Sequence, residues 1–202
     1  MTPGTWRIGV FGGSFDPPHI AHRALADAAL QQLRLDELRI VPTGQAWHKA
    51  RNLSPAQHRL AMAGLAFAGQ ARVVVDPREI RRAGPSYTVD TLRELHAEQP
   101  GCAIFLVIGQ DQAARLPTWH AWEEVVRLAT ICVAERPDVP GAAPSPASEA
   151  PRASAYRQLD FPQQSVSATD IRQRIARGQG VGALVGPAVA RYIADHHLYL
   201  PT

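Results

Sequence analysis

Apolar and polar positions along the chain follow two rhythms, and the rhythms take turns. Trp6–Phe11 is a short apolar run ending at Gly12-Gly13, which predicts a buried strand. From Ile20 to Leu35 the apolar residues Leu25, Ala28, Ala29 and Leu33 recur at helical spacing. Leu38–Val41 reads as a second strand. Ser54-Pro55-Ala56-Gln57 reads as a capping box with proline at the first helical position, and predicts a helix to about Phe67. Arg72–Val75 is a third strand, Thr88 to Ala97 a helix, and Ala103–Ile108 a fourth strand, the most apolar run of all. Trp119–Arg127 predicts a short helix and Thr130–Ala134 a fifth strand. Ser167–Arg177 and Pro187–His196 predict two more helices.

Strands that are apolar throughout, alternating with helices, predict a parallel sheet covered on both faces. Right-handed crossovers then make a doubly wound α/β fold in one domain spanning 1–202. Such folds bind ligands outside the carboxyl ends of their strands. That rule gathers Gly12–His22, Pro42–Lys49, Gly109–Trp119 and Glu135–Pro137 on one rim. The alternation breaks at Asp138–Ala155, where Pro140, Pro144, Pro146 and Pro151 stand among Ala, Ser and Gly. We read this stretch as a flexible insertion rather than a domain boundary, because a strand and helices must still follow it.

Composition narrows the class. A chain of 202 residues, 46% hydrophobic and 19% charged, can bury a core without a metal or disulfide staple. Its longest apolar run, near Ile104–Ile108, falls far short of the ~18 residues that span a bilayer, so no membrane partner is expected. The start, Met1-Thr2-Pro3-Gly4, lacks a basic then apolar leader, and no signal peptide is expected. Cys102 and Cys132 lie in strand-like runs and read as two buried thiols of a reducing cytoplasm. A net charge of +3 leans towards anionic ligands but is no nucleic-acid footprint. Of the 21 basic residues only Lys49 is lysine, leaving 20 arginines. His48 rather than glycine precedes it, which excludes a Walker A loop. A lone lysine on a rim loop suggests a compact charge that meets phosphates.

The chemistry concentrates in Gly12-Gly13-Ser14-Phe15-Asp16-Pro17-Pro18-His19-Ile20-Ala21-His22, which joins the first strand to the first helix. Two glycines let backbone approach a ligand, and a helix N-terminus offers free N–H groups to an anion. His19 and His22, three apart, can face one side of the first turn, where imidazoles suit charge building on phosphoryl oxygens. A zinc site is a poor alternative, since no cysteine or carboxylate stands at a helpful spacing. Further on, Ser167 and Asp170 form a capping pair, while Thr169 and Arg172 share a face as a phosphate clamp. Gly178-Gln179-Gly180-Val181-Gly182-Ala183 loosely matches a dinucleotide fingerprint, but it follows a helix and reads as a loop.

The first segment resembles the GxFxPxHxxH signature of the nucleotidylyltransferase superfamily, and Ser167-Ala168-Thr169-Asp170-Ile171-Arg172 resembles its second motif, SxTxxR. Three further stretches are similar to bacterial nicotinate-nucleotide adenylyltransferases. These are His48-Lys49, Pro85-Ser86-Tyr87-Thr88-Val89-Asp90-Thr91-Leu92, and Gly109-Gln110-Asp111 with Leu116 and Trp119; Arg136-Pro137 is also similar. Two departures stand out. Ala46-Trp47 replace two prolines usual before His-Lys, and the proline-rich stretch looks like an insertion relative to the family.

The resemblance implies a Rossmann-like nucleotidylyltransferase fold and transfer of the adenylyl group of ATP to nicotinate mononucleotide, with pyrophosphate leaving. It implies ATP contacts from Gly12, Gly13, Ser14, Phe15, His19, His22, Ser167, Thr169 and Arg172, with His19, His22, Lys49 and Arg172 as the catalytic set. Tyr87, Thr88, Gly109, Asp111, Trp119 and Arg136 would bind the mononucleotide, with Trp119 stacking on the pyridine and Tyr87-Thr88 donating to its carboxylate. Mg²⁺ would arrive with ATP, without a dedicated protein cluster. Partners would be these two nucleotides, with no nucleic acid. Three alternatives stand beside this reading: an NAD-dependent oxidoreductase, a nucleotide-binding sensor, and a sibling transferase with another acceptor. The first lacks its glycine fingerprint on the first turn and an acidic residue after the second strand.

Overall fold

A computed structural model describes residues 5–45, 53–135, 156–161 and 166–201. Among the described residues six strands form one sheet in the order β3-β2-β1-β4-β5-β6. They are β1 Arg7–Gly13, β2 Glu37–Pro42, β3 Val73–Val75, β4 Ala103–Gly109, β5 Thr130–Glu135 and β6 Tyr156–Asp160. Strand β4 lies parallel to both β1 and β5, and β5 lies parallel to β6. The order reverses beside β1, which is the doubly wound arrangement the alternation predicts. The helices are α1 Ile20–Gln32, α2 Ala56–Phe67, α3 Arg78–Arg81, α4 Thr88–Glu98, α5 Gln110–Arg115, α6 Trp122–Leu128, α7 Ala168–Ala176, α8 Gly182–Val185 and α9 Pro187–Asp195.

The chain divides into two compact units, each built from three separate stretches. The first gathers the described residues of Met1–Gly12, Leu25–Arg39 and Tyr87–Gln163. Its core is β4, where Ile104, Phe105, Leu106, Val107 and Ile108 are all buried, as a strand covered on both faces requires. Ile8 and Val10 of β1, Ile131 and Val133 of β5, and Val89, Leu92 and Leu95 of α4 complete it. Each such side chain contributes about 1.5–3 kcal/mol by leaving water. Cys102 and Cys132 are free and buried, as expected.

The second unit gathers the described residues of Gly13–Ala24, Ile40–Ser86 and Gln164–Thr202. Here α2 buries Arg59, Met62, Ala63, Ala66 and Phe67, a stripe at helical spacing. Ile171, Val185, Val189 and Ile193, from α7, α8 and α9, are buried in the same unit. The His58 ring nitrogen Nδ1 meets the Tyr192 hydroxyl at 3.0 Å, tying α2 to α9.

Several predicted boundaries move, for local reasons. Helix α1 ends at Gln32 rather than Leu35, because Arg34 turns left-handed at φ 49° and the Leu35 N–H reaches back to the Leu30 carbonyl. The capping box at Ser54 does not form. Pro55 occupies the cap position of α2 without a side-chain cap, and the Ser54 N–H donates instead to the Asp16 carboxylate. Helix α6 begins at Trp122, not Trp119, since Ala121 at φ 50° interrupts the helical path. Arg72 stands outside β3 at φ 65°. The glycine-rich stretch after α7 is no dinucleotide turn, for only the short α8 begins there, at Gly182. The Asp138–Ala155 insertion lies outside the described residues.

Two glycines give opposite expectations. A Cβ on Gly44 would run into the Glu79 carbonyl, which is backbone and cannot swing away. Gly64, on the exposed side of α2, has nothing within 4 Å of that position. Gly44→Ala should therefore destabilise the protein by roughly 1–3 kcal/mol. Gly64→Ala should stabilise it by about 0.5–1 kcal/mol. Urea denaturation of both variants checks the pair; a tolerated Gly44→Ala contradicts the close approach.

Candidate active site

In the second unit, β1 ends at Gly13 and α1 starts at Ile20, so the signature segment is the loop between them. His19 caps α1: its carbonyl accepts the His22 N–H at 2.9 Å. Its own N–H donates to His22 Nδ1 at 3.1 Å. The second bond is one half of a capping box, the return from the third residue's side chain to the cap's backbone N–H, with a histidine in place of the usual Glu or Gln. The bond has a chemical consequence. Nδ1 of His22 serves as acceptor, so the neutral ring carries its proton on Nε2.

The two imidazoles stack with centroids 3.8 Å apart. Phe15, 1% exposed, sets its ring edge-on to His22 at 5.1 Å and to Phe67 at 6.0 Å. Phe15 holds a left-handed φ of 47°, a strained setting for a bulky residue and one found where surroundings over-determine the backbone. Burial pushes the His19 imidazole down to about 4. Burial, and then the neighbouring His19, hold His22 well below the usual range. Both rings are therefore neutral donors near pH 7. His19 Nδ1 is buried with no hydrogen-bond partner among the described residues, the kind of exception a bound ligand can satisfy.

Three side chains without a motif role hold this loop. Arg59 is 1% exposed. Its guanidinium donates to the carbonyls of Ser54 at 2.9 Å, Ser14 at 3.0 Å and Gly44 at 3.2 Å. The signal was present, since an arginine stands on the otherwise apolar stripe of α2. Asp16, which stands inside the motif, is also 1% exposed. Its carboxylate accepts from the Ser54 N–H at 3.3 Å and the Tyr199 hydroxyl at 2.7 Å. Tyr199 had no local signal; only the folded chain brings it there.

The second motif meets the first in the same unit. Arg172 Nη1 donates to the Asp16 carbonyl at 2.7 Å, and Nη2 to the Thr169 hydroxyl at 3.0 Å. Ser167 accepts the Asp170 N–H at 3.1 Å, so it caps α7 while Thr169 and Arg172 pair. The structure thus brings together Gly13, Ser14, Phe15, His19, His22, Ser167, Thr169 and Arg172 in one unit. Gly13 takes part through its carbonyl, which accepts the Thr43 N–H at 2.9 Å.

The described members of the expected mononucleotide set lie in the first unit. Tyr87 and Thr88 open α4, and the Tyr87 ring lies 4.3 Å from that of His120, a neighbour without a motif. Gly109 ends β4 and caps α5, whose first turn carries the exposed Asp111. Trp119 is half-buried and follows a single 3-10 turn over Leu116–Thr118. Gly12 is exposed near the end of β1. Lys49 with His48, and Arg136 with Pro137, lie outside the described residues. Among the described residues no group of three or more His, Cys, Asp or Glu is placed to hold a metal ion. No described helix is long and apolar enough to cross a membrane.

A family model described as cytidylyltransferase-like matches residues 10–174. A protein of Albidiferax ferrireducens named nicotinate-nucleotide adenylyltransferase is 60% identical, over 96% of this chain and 98% of its own. The chain belongs to the nicotinate-nucleotide adenylyltransferase family. A second member of that family, from Methylibium petroleiphilum, is 48% identical over 96% of this chain and 93% of its own. The fold agrees with that of the Plasmodium falciparum nicotinic acid mononucleotide adenylyltransferase solved with NaAD. The TM-score is 0.79 at 18% identity, covering 96% and 97% of the two chains. The sequence expectations of a nucleotidylyltransferase fold and of this family are thereby met.

The buried imidazoles make a stability prediction. The His19 value falls from 6.5 unfolded to about 4 folded, so between these the unfolded chain binds more protons. Stability should fall as pH drops from about 6.5 to 4, and His22 acts in the same direction. His19→Asn keeps a good cap. It should remove roughly 2–3 kcal/mol of that acid-side loss. Urea titrations of both proteins at pH 7, 5.5 and 4.5 check this, and parallel acid profiles would contradict it.

Proposed function

We infer that this chain transfers the adenylyl group of ATP to nicotinate mononucleotide, giving nicotinate adenine dinucleotide and pyrophosphate, a late step of NAD synthesis. The observation that carries the reading is the joined pair of motifs. Two neutral imidazoles stand at the start of α1, and the Thr169–Arg172 pair of α7 is tied to the loop that precedes them through the Asp16 carbonyl. This is equipment for gripping phosphates, and membership of the family supplies the acceptor.

The chemistry needs no covalent nucleophile from the protein. The phosphate of the mononucleotide attacks the α-phosphorus of ATP in line, and the bond to the β-phosphate oxygen breaks as pyrophosphate leaves. The protein's work is positioning and neutralising charge as it builds on the phosphoryl oxygens. His22 donates from Nε2, and His19 does so from its buried ring. Arg172 and Thr169 steady the triphosphate and the leaving group, as does Lys49. Mg²⁺ enters as part of its ATP complex. Tyr87 and Thr88 donate to the nicotinate carboxylate, Trp119 stacks on the pyridine, and Gly109, Asp111 and Arg136 lie along the mononucleotide. The two unpaired, buried thiols fit a reducing cytoplasm.

Pyrophosphate release from ATP and Mg²⁺, with the acid and the amide mononucleotides offered separately, tests the reading. Release with the acid alone is expected. A site built to donate to a carboxylate rejects the carboxamide by as much as roughly 10⁴-fold. Equal rates on both would refute the roles of Tyr87 and Thr88. His22→Ala should fold and lose roughly 10²–10³ in kcat, the loss typical of one transition-state donor. Near-normal turnover in a folded His22→Ala protein would refute its role.

A further inference from the structure

Beyond α9 the backbone makes two left-handed steps, at His197 with φ 50° and at Tyr199 with φ 66°. Neither residue is glycine, and such settings persist only where the surroundings hold them. Between them the Leu198 N–H bonds back to the Ile193 carbonyl at 3.0 Å. The double turn delivers the Tyr199 hydroxyl to Asp16 Oδ1 at 2.7 Å. The same hydroxyl passes Met62 Sδ at 3.9 Å.

Asp16 is gripped on two sides. Its buried carboxylate takes the Tyr199 hydroxyl and the Ser54 N–H, while its carbonyl takes Arg172 at 2.7 Å. A carboxylate this deep needs donors, because an unpaired one is costly to bury. With the side chain pinned, the orientation of its carbonyl is fixed, and with it the anchor of the Arg172 guanidinium. Burial and the adjacent carboxylate push the Tyr199 phenol far up its scale, so it stays a donor at any working pH.

We propose that Tyr199 is a positioning residue for the nucleotide site, acting through Asp16 to set the Arg172 guanidinium that grips the ATP phosphates. The proposal rests on the reading that Arg172 meets ATP. It assigns a function to a tail residue that carries no motif and touches no substrate in the proposed mechanism.

The test is a double-mutant cycle on the intact enzyme, with Tyr199→Phe and Arg172→Ala. Tyr199→Phe keeps the ring and loses one hydrogen bond to a charged group. It should raise KM for MgATP by roughly tenfold. KM for nicotinate mononucleotide should stay unchanged within about twofold, since the two substrates engage different residues. In the Arg172→Ala background the same substitution should have almost no further effect on KM for MgATP, the signature of residues acting as one unit. Met62→Leu serves as the packing control. It alters the hydroxyl's surroundings without touching Asp16, and should move Tm but not KM for MgATP.

An unchanged KM in Tyr199→Phe overturns the proposal. So do an equal, independent penalty in the Arg172→Ala background, a matching rise in KM in Met62→Leu, or failure of Tyr199→Phe to fold. If Arg172→Ala itself leaves KM for MgATP unchanged, the reading of Arg172 falls, and the proposal with it. If Arg172→Ala raises it and Tyr199→Phe does not, only the proposal falls.

Discussion

A single buried guanidinium joins three stretches of backbone in the second unit. Arg59 gives hydrogen bonds to the loop after β1, to the turn after β2 and to the residue that leads into its own helix. Each accepting carbonyl lies in irregular chain, where no ladder could satisfy it, and burying such groups unpaired costs about 1–3 kcal/mol apiece. Arginine suits the place because its planar fork spreads donors in fixed directions and stays charged. The strained φ at Phe15, the capped start of α1 and the stacked imidazoles all depend on that loop staying where Arg59 holds it.

The histidines show how local structure becomes chemistry. The His19 N–H has to be satisfied at the start of α1, and His22 does it through Nδ1. That choice leaves Nε2 as the proton-bearing nitrogen. Burial then removes the positive charge from both rings. The result is a pair of neutral donors, suited to charge that grows during the reaction rather than to charge already present in the bound substrate.

Strands with consecutive apolar residues were legible because burial on both faces leaves an unbroken run, as in Ile104–Ile108. Strand β6 was not placed, since Leu159 is its one buried residue and an edge strand this polar has no such run. Helix α5 buries nothing, so it lacks a periodic stripe to read. The capping box failed at Ser54 because a partner distant in sequence, Asp16, competes for its N–H. The motifs named the residues that would meet phosphates. They could not name what holds those residues, because Arg59 and Tyr199 reach the loop through tertiary structure. Arg59 at least left a trace, a charge on an apolar stripe.

The Asp16–Tyr199 contact also bears on the order in which the protein comes into being. The two residues are 183 positions apart, so a ribosome makes one well before the other. Closing so long a loop costs little more than closing a shorter one, because the entropy penalty grows only with the logarithm of length. The delay is in time rather than energy. A growing chain carries its signature loop through 183 further residues of synthesis before the hydroxyl that braces Asp16 exists.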